Sequence, residues 1–234
     1  MAYRPVFRIT DDCPYYKSEI VGFTYYNGFA VSQKKRSIAS LHQAFLSSNS
    51  TEKVLDISSS SEESLGVALS AFNLQITTLD GKSYSVESAF QGSKVFEHGG
   101  PYKDLLTKTS REAKKDPRLK DSGKLISFYF SKKEFPLTPK TFFYNWLYIN
   151  ALHMHPELTE QMMKYTAFTD ISFNPQRSIN CQACAAAVYV SLRKNDLLAK
   201  ALETPERFLR VVYGEECDSE KRSHKQMSLW EDNK

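Results

Sequence analysis

Cysteine and long apolar runs are both scarce in this sequence. Its 234 residues include four cysteines, which are too few and too scattered to form the disulfide framework of a small secreted domain. No stretch approaches the roughly 18 uninterrupted apolar residues that a membrane-spanning helix requires. The opening residues also lack the apolar stretch of a secretory signal peptide. These absences predict a reduced, cytoplasmic protein that does not enter a membrane.

Common nucleotide-binding loops and metal motifs are absent as well. The sequence has neither a Walker loop nor a Gly-x-Gly-x-x-Gly turn. Cys181 and Cys184 form a single Cys-x-x-Cys pair, whereas structural zinc needs four ligands. The pair is therefore interpreted as two buried small residues in an alanine-rich helix. His153 and His155 do not share a helical face, so no metal site is predicted.

The composition is that of a folded protein with a small excess of positive charge. Hydrophobic residues make up 41% and charged residues 25%, and 31 basic against 27 acidic side chains give a net charge of +4. This balance excludes wholesale disorder and a histone-like tail, but it allows a local surface that faces phosphates. At about 150 residues per domain, we expect a main domain over 47–213, an N-terminal extension over 1–46, and a charged, mobile tail over 214–234.

Local patterns predict an α+β fold, mainly α-helical, with one small β-hairpin. Residues 72–77 alternate apolar and polar side chains, Asp80-Gly81 is typical of a hairpin turn, and a return strand begins at Lys82. Ser85 is placed to cap a helix from Val86 to about Glu97. Further strands are expected at 54–57 and 125–130, and further helices at 38–45, 110–115 (capped by Ser110), from Thr138-Pro139 to about 152, 156–165, 181–193 and 205–213.

Three polar residues are spaced to lie on one face of the helix that follows the hairpin. Glu87, Gln91 and Lys94 stand at positions i, i+4 and i+7, so a helix places their side chains together. Glu87 also lies in the first turn, where the helix dipole favours a negative charge. A solvated charged face would show the same spacing. The small residues beside this stripe, among them Gly92, favour a functional face because they let a ligand approach closely.

Residues 167–175 are expected to form a non-helical loop. The loop combines aromatic side chains with the carboxylate of Asp170 and the amide of Asn174, and Asn180 follows before the next helix. Loops of this composition often build sites. Asp and Asn also make simple Asx turns, so both interpretations stay open at this point.

The segment 103–124 carries more basic than acidic residues. Eight lysines and arginines outnumber four acids there. Such a surface would suit the phosphates of a nucleic acid, but an ordinary solvated helix face has a similar charge.

Several motifs, taken in order, resemble the signature of the NADAR (YbiA-like) family. The likeness runs from about residue 54 to residue 195. The matching segments are Leu69-Ser70-Ala71-Phe72, Asp80-Gly81-Lys82-Ser83-Tyr84-Ser85-Val86-Glu87, Phe90-Gln91-Gly92-Ser93-Lys94-Val95-Phe96, Ser110-Arg111-Glu112-Ala113, His155-Pro156-Glu157-Leu158, and Asn180 with the helix to Arg193. Ser88-Ala89 replaces the family's His-Tyr pair, Ala71 replaces an asparagine, and Phe168-Thr169-Asp170 replaces a Trp-Gly loop. These differences indicate a divergent branch.

The resemblance implies an N-glycosidase, which cleaves the bond between C1 of a ribose and a nitrogen. On this likeness, Glu87 would stabilise the positive charge that develops on the sugar. Lys94 would form a Schiff base with C1 of an opened ribose, and Asp170 would protonate the leaving base or activate water. The scheme requires no metal and no cofactor.

The resemblance also implies a set of substrate-binding residues. Phe168 would stack on a base in place of the missing tryptophan. The other four residues would shape the pocket and bind ribose or phosphate: Ser70, Phe72, Gln91 and Asn180.

Three functions are compatible with these observations. The first is removal of ADP-ribose from guanine in DNA, with ADP-ribosylated DNA as substrate and a DarT-type toxin encoded nearby as partner. The second is N-glycosidase activity on a phosphorylated riboflavin-pathway intermediate or another small nucleotide-like metabolite. The third is a non-catalytic module that binds ADP-ribose or nucleic acid, because the substituted His-Tyr and Trp-Gly positions put catalysis in question. The charge of the segment 103–124 favours the first function.

Overall fold

The computed structural model describes residues 1–28 and 30–214, in which helices and strands are mixed around three small sheets. The strands are β1 (Ala2–Ile9), β2 (Tyr16–Phe23), β3 (Val54–Asp56), β4 (Gln75–Thr77), β5 (Ser83–Ser85), β6 (Lys94–Phe96), β7 (Leu125–Phe130), β8 (Lys133–Phe135) and β9 (Ala167–Thr169). The α-helices are α1 (Val31–Leu46), α2 (Ser64–Ala68), α3 (Val86–Gly92), α4 (Ser110–Lys115), α5 (Arg118–Asp121), α6 (Phe142–His153), α7 (Pro156–Met162), α8 (Gln182–Lys194), α9 (Leu198–Leu202) and α10 (Pro205–Tyr213). A 3₁₀ helix covers Lys103–Thr107. Among these described helices, none is both long enough and apolar enough to cross a membrane.

The largest of these three sheets has four strands, in the order β2-β1-β9-β3. β1 runs antiparallel to β2 and β9, and β3 runs parallel to β9. Because side chains alternate along a strand, Val6 joins a cluster with Leu41 of α1, while Phe7 joins the main core with α8. The sheet is therefore covered by a helix on each face.

The strand β9 corrects one expectation from the sequence. Residues 167–175 were expected to be a loop, but Ala167–Thr169 is a strand because it pairs with β1 on one side and β3 on the other. The N-terminal residues 1–46 supply β1, β2 and α1, so they share this sheet with the region 47–213. The domain boundaries stay a prediction, and residues 215–234 of the expected tail lie outside the described residues.

The expected hairpin and the cap of its helix are confirmed. β4 and β5 pair across the Asp80-Gly81 turn, and Gly81 has a φ of +78°, which favours glycine. Ser85 Oγ accepts a hydrogen bond from Ser88 N at 3.1 Å. The helix is shorter than expected, because α3 ends at Gly92 and the next residues pair with β7 as β6. Pairing with a distant strand overrides the local helical pattern there.

Two other helix starts differ from the expected ones. The helix expected at Thr138-Pro139 begins at Phe142, because Phe142 N donates to Pro139 O at 2.9 Å in a turn that precedes the helix. Thr109, not Ser110, caps α4. The Thr109 hydroxyl and the Glu112 carboxylate each accept a hydrogen bond from the other residue's backbone N–H, in a capping box.

Candidate active site

A cavity of about 640 Å³ is lined by α3, the start of α6, and the loop between β9 and α8. Seven of the eight expected site residues line it, although they come from distant parts of the chain: Ser70, Phe72, Glu87, Gln91, Lys94, Asp170 and Asn180. A cavity of this size can hold a nucleotide-sized ligand.

Phe168 is the expected site residue that the fold places elsewhere. It lies in the middle of β9, between β1 and β3, and its side chain is 0% exposed. Phe168 therefore packs in the core and does not reach the cavity, so its position does not support stacking on a base. The aromatic rings that line the cavity include Phe72, Phe90 and Phe173.

A chain of hydrogen bonds joins the three residues of the polar stripe. Gln91 Nε2 donates to Glu87 Oε1 at 2.8 Å, and Lys94 Nζ donates to Gln91 Oε1 at 2.7 Å. Glu87 and Gln91 sit one turn apart on α3, as their spacing predicts. Lys94 reaches the same wall from β6, so the expected grouping holds although the expected helix ends earlier. All three side chains face the cavity.

Burial shifts the amine of Lys94 towards its neutral form. Burial lowers the pKa of Lys94 below its usual value, the charge of Glu87 opposes that change, and the charge of Lys114 adds to it. The amine also lies 5.0 Å from the centroid of the Phe90 ring. An amine whose pKa is lowered by burial is a better nucleophile near neutral pH.

Lys114 is a site residue that the sequence did not single out from its basic segment. Its Nζ lies 3.5 Å from Glu87 Oε1 and 5.1 Å from the centroid of the Phe72 ring. Glu87 is 6% exposed, so Lys114 balances a carboxylate that is largely removed from water.

Asp170 lies at the carboxyl end of β9 and is held by the loop that follows. Its Oδ1 accepts a hydrogen bond from Ser172 N at 2.9 Å, and its Oδ2 accepts one from Gln182 Nε2 at 3.0 Å. The expected Asx turn is therefore present, and the same carboxylate lines the cavity. Burial, together with the charge of Asp56, raises the pKa of Asp170 to about 7. Such a carboxyl can donate a proton near neutral pH.

Asp56 is a second buried carboxylate that sequence reasoning missed. It is the last residue of β3. Its Oδ2 accepts hydrogen bonds from Thr169 Oγ1 at 3.0 Å and Ile171 N at 2.9 Å, the residues on either side of Asp170. Burial raises the pKa of Asp56 to about 6. The Nε2 atom of His42, a residue of α1, lies 2.9 Å from Thr169 Oγ1. Asp56 therefore fixes the backbone that carries Asp170.

Tyr144 of α6 is a further missed residue. It lines the cavity and is 6% exposed. Burial raises its pKa well above the usual value, and the charges of Glu87 and Asp170 act in the same direction. Its hydroxyl therefore keeps its proton near neutral pH and can donate a hydrogen bond. The helix is apolar nearly all round, so no polar pattern distinguishes this residue from its core neighbours.

Two buried polar atoms at the cavity have no hydrogen-bond partner among residues 1–28 and 30–214. They are Ser70 Oγ and Asn180 Oδ1, both of residues that line the cavity. Buried polar groups are normally paired, so these atoms are placed to bind a polar ligand.

The basic segment 103–124 is partly neutralised by its own acids. Lys108 and Arg118 both contact Asp104 and Asp116. Two of the eight basic side chains of this segment are therefore paired with its own acids. Both cysteines of the Cys-x-x-Cys pair are buried, as expected. Within 1–28 and 30–214, no cluster of His, Cys, Asp and Glu side chains could hold a metal ion.

The site thus combines a buried carboxylate, an amine with a lowered pKa and a carboxyl that protonates near pH 7 around one cavity. No curated protein matches the chain. A family model described as the DarT1-associated NADAR antitoxin matches residues 2–222, which is nearly the whole sequence and includes the N-terminal strands. The chain belongs to the family of DarT1-associated NADAR antitoxins.

Proposed function

We propose that the protein is a cytoplasmic N-glycosidase that removes ADP-ribose from guanine in DNA and so reverses modification by a DarT-type toxin. The observation that carries the proposal is the hydrogen-bonded chain from Glu87 through Gln91 to Lys94, which faces the same cavity as Asp170. The family match supports it, because the family is that of antitoxins associated with DarT1.

Glu87 acts on the sugar. Breaking a glycosidic bond builds positive charge on C1 and on the ring oxygen. A carboxylate that is held in place beforehand by its neighbours stabilises that transition state without having to reorganise. The Gln91 amide holds the Glu87 carboxylate in place through Oε1, which leaves Oε2 for the ribose.

Lys94 is the nucleophile and Asp170 is the general acid. The neutral amine of Lys94 attacks C1, and the bond from C1 to the guanine nitrogen breaks. The protonated carboxyl of Asp170 gives its proton to that nitrogen, and the resulting carboxylate takes up one proton from the attacking amine. The bond from C1 to the ring oxygen then breaks, the ring oxygen takes the remaining proton of the lysine nitrogen, and a Schiff base forms between Lys94 and C1 of the opened ribose. One water hydrolyses this Schiff base, which releases ADP-ribose and restores Lys94. The net reaction adds one water across the bond.

The remaining polar groups bind the substrate. Ser70 Oγ and Asn180 Oδ1 have no partner in the described part of the chain and pair with ribose hydroxyls. The Tyr144 hydroxyl, from a residue that lines the same cavity, donates a hydrogen bond to the substrate. The Phe72 ring provides an apolar wall for the sugar or base.

The first experiment measures ADP-ribose release from an oligonucleotide whose guanine carries ADP-ribose. The wild-type protein is expected to release it, and Lys94→Ala is expected not to. Reduction with cyanoborohydride during turnover should leave ADP-ribose covalently attached to Lys94, which mass spectrometry of tryptic peptides detects. The matched control is Lys53→Ala, which replaces an exposed lysine outside the cavity. This variant should retain full activity.

Two outcomes would redirect the proposal. Release of a base from a phosphorylated metabolite, with no action on the modified oligonucleotide, would make the protein a small-molecule N-glycosidase. Tight binding of ADP-ribose without cleavage of any glycoside would make it a binding module.

A further inference from the structure

The charged residues that line the cavity are mostly positive. Lys94, Lys114, Lys140 and Arg177 line it, against the two acids Glu87 and Asp170. Lys94 and Lys114 are already engaged with the polar stripe, through Gln91 and Glu87. Lys140 and Arg177 form no ion pair with any residue in the described parts of the chain. The lining therefore holds two cations in excess of its acids.

These two cations reach the cavity from different parts of the fold. Lys140 lies in the turn just before α6, and Arg177 lies in the loop between β9 and α8. Both are exposed and both line the cavity, which places them at its open side. Glu87 and Gln91, by contrast, are buried. The excess charge is thus concentrated at the mouth.

Hydroxyl groups accompany the two cations. Ser59 and Ser172 are exposed and line the same cavity, and Ser178 lies next to Arg177. Asn180 is in the same loop, and its Oδ1 has no hydrogen-bond partner in the segments that the structure describes. A guanidinium, an ammonium and several hydroxyls together are the donors that proteins use for phosphate groups.

We propose that Lys140 and Arg177 form a phosphate-binding subsite at the mouth of the cavity, which holds the diphosphate of ADP-ribose. The identity of this ligand rests on the proposed function. With the reacting ribose beside Glu87 and Lys94, the diphosphate lies further out, towards solvent, where these cations are. The subsite would hold ADP-ribose by its charge, whatever base is attached to C1.

Titration calorimetry tests the proposal with three probes: ADP-ribose, ADP, and an unmodified single-stranded oligonucleotide. The double variant Lys140→Gln/Arg177→Gln should bind ADP-ribose and ADP about 100-fold more weakly, since each charged hydrogen bond contributes roughly tenfold. Its affinity for the oligonucleotide should change by no more than about twofold. Lys17→Gln/Lys164→Gln is the matched control, because it removes two exposed charges outside the cavity and should leave ADP-ribose binding unchanged.

A conservative variant guards against loss of folding. Lys140→Arg/Arg177→Lys keeps both charges and should retain most of the affinity for ADP-ribose. The proposal is overturned if the wild type does not bind ADP-ribose, or if the glutamine variant binds it as tightly as the wild type. It is also overturned if the oligonucleotide loses as much affinity as ADP-ribose, or more, because the cations would then contact DNA backbone phosphates. Binding of ADP-ribose that depends on these cations, without any glycosidase activity, would support the subsite while refuting the proposed function.

Discussion

Replacing Glu87 by glutamine removes one negative charge from the cavity and changes little else. The new side chain has the same length, and its Oε1 can still accept the hydrogen bond that Gln91 Nε2 donates at 2.8 Å. Glu87 is 6% exposed, so its charge acts through protein rather than through bulk water. We therefore expect Glu87→Gln to fold and bind substrate normally but to react slowly.

Coulomb's law gives the size of the loss. A carboxylate about 4 Å from a full positive charge stabilises it by about 4 kcal/mol at an effective dielectric constant of 20. The sugar carries only part of a charge in the transition state, and Lys114 Nζ, 3.5 Å from Glu87 Oε1, offsets part of the attraction. Half of the full value, about 2 kcal/mol, lowers kcat roughly 30-fold, and the full value lowers it roughly 1,000-fold. The expected loss lies between these limits.

The assay is the single-turnover release of ADP-ribose from a guanine-ADP-ribosylated oligonucleotide. Glu62→Gln removes an exposed carboxylate outside the cavity and serves as the control, which should react like the wild type. Thermal unfolding reports whether each variant is folded. The role assigned to this charge would be refuted if a folded Glu87→Gln protein reacts within about threefold of the wild-type rate. A threefold change in rate corresponds to less than 1 kcal/mol in activation free energy.

Three further predictions concern neighbouring residues. Asp56→Asn removes a charge that raises the pKa of Asp170. Since Asp170 must be protonated to act, kcat/KM should fall as the pH rises through about 7 in the wild type, and at a lower pH in this variant. An unshifted pH profile would contradict the assignment. Tyr144→Phe should lower kcat/KM about tenfold without loss of stability. Tyr148→Phe, which removes a hydrogen bond to Leu69 O, should lower the melting temperature instead. Equal kinetics for Tyr144→Phe and the wild type would exclude a substrate contact by the Tyr144 hydroxyl. Thr109→Ala should lower the free energy of unfolding by about 1 kcal/mol, measured in urea, and no change would show that the capping box is not needed.

The features that the sequence predicted well depend on short-range signals. The Asp80-Gly81 turn and the Ser85 cap involve neighbours in the chain, and both are confirmed. The grouping of Glu87 with Gln91 follows from helical spacing for the same reason. The end of α3 was misjudged because it depends on the pairing of β6 with β7, which no local pattern encodes.

Most of the features that were missed depend on contacts between distant segments. β1 and β2 are neighbours in the chain and pair across residues 10–15, but the strand status of residues 167–169 arises from long-range pairing with β1 and β3. Asp56 becomes part of the site only because β3 lies beside β9. Tyr144 looks like any other aromatic residue of a core helix. Lys140 and Arg177 lie in irregular segments, whose residues follow no periodic spacing, so the sequence does not show that they meet at one cavity.

The pairing of β1 with β9 has a consequence for how the protein folds during synthesis. Phe7 lies opposite Phe168, so 161 residues separate the two partners in the chain. At ordinary translation rates, roughly 10–30 s pass between the synthesis of one partner and that of the other. During this time the edge of β1 that later pairs with β9 has no partner, and an unpaired strand edge favours aggregation.

Asp170 follows directly after β9 and is positioned only when that strand is in place. Assembly of the site therefore belongs to the slow, long-range stage of folding. A ribosome-bound chain that stops short of β9 has the Glu87–Gln91–Lys94 segment but not the carboxyl at the other side of the cavity. Protection against a toxin would then lag behind translation by the time the chain needs to close this sheet.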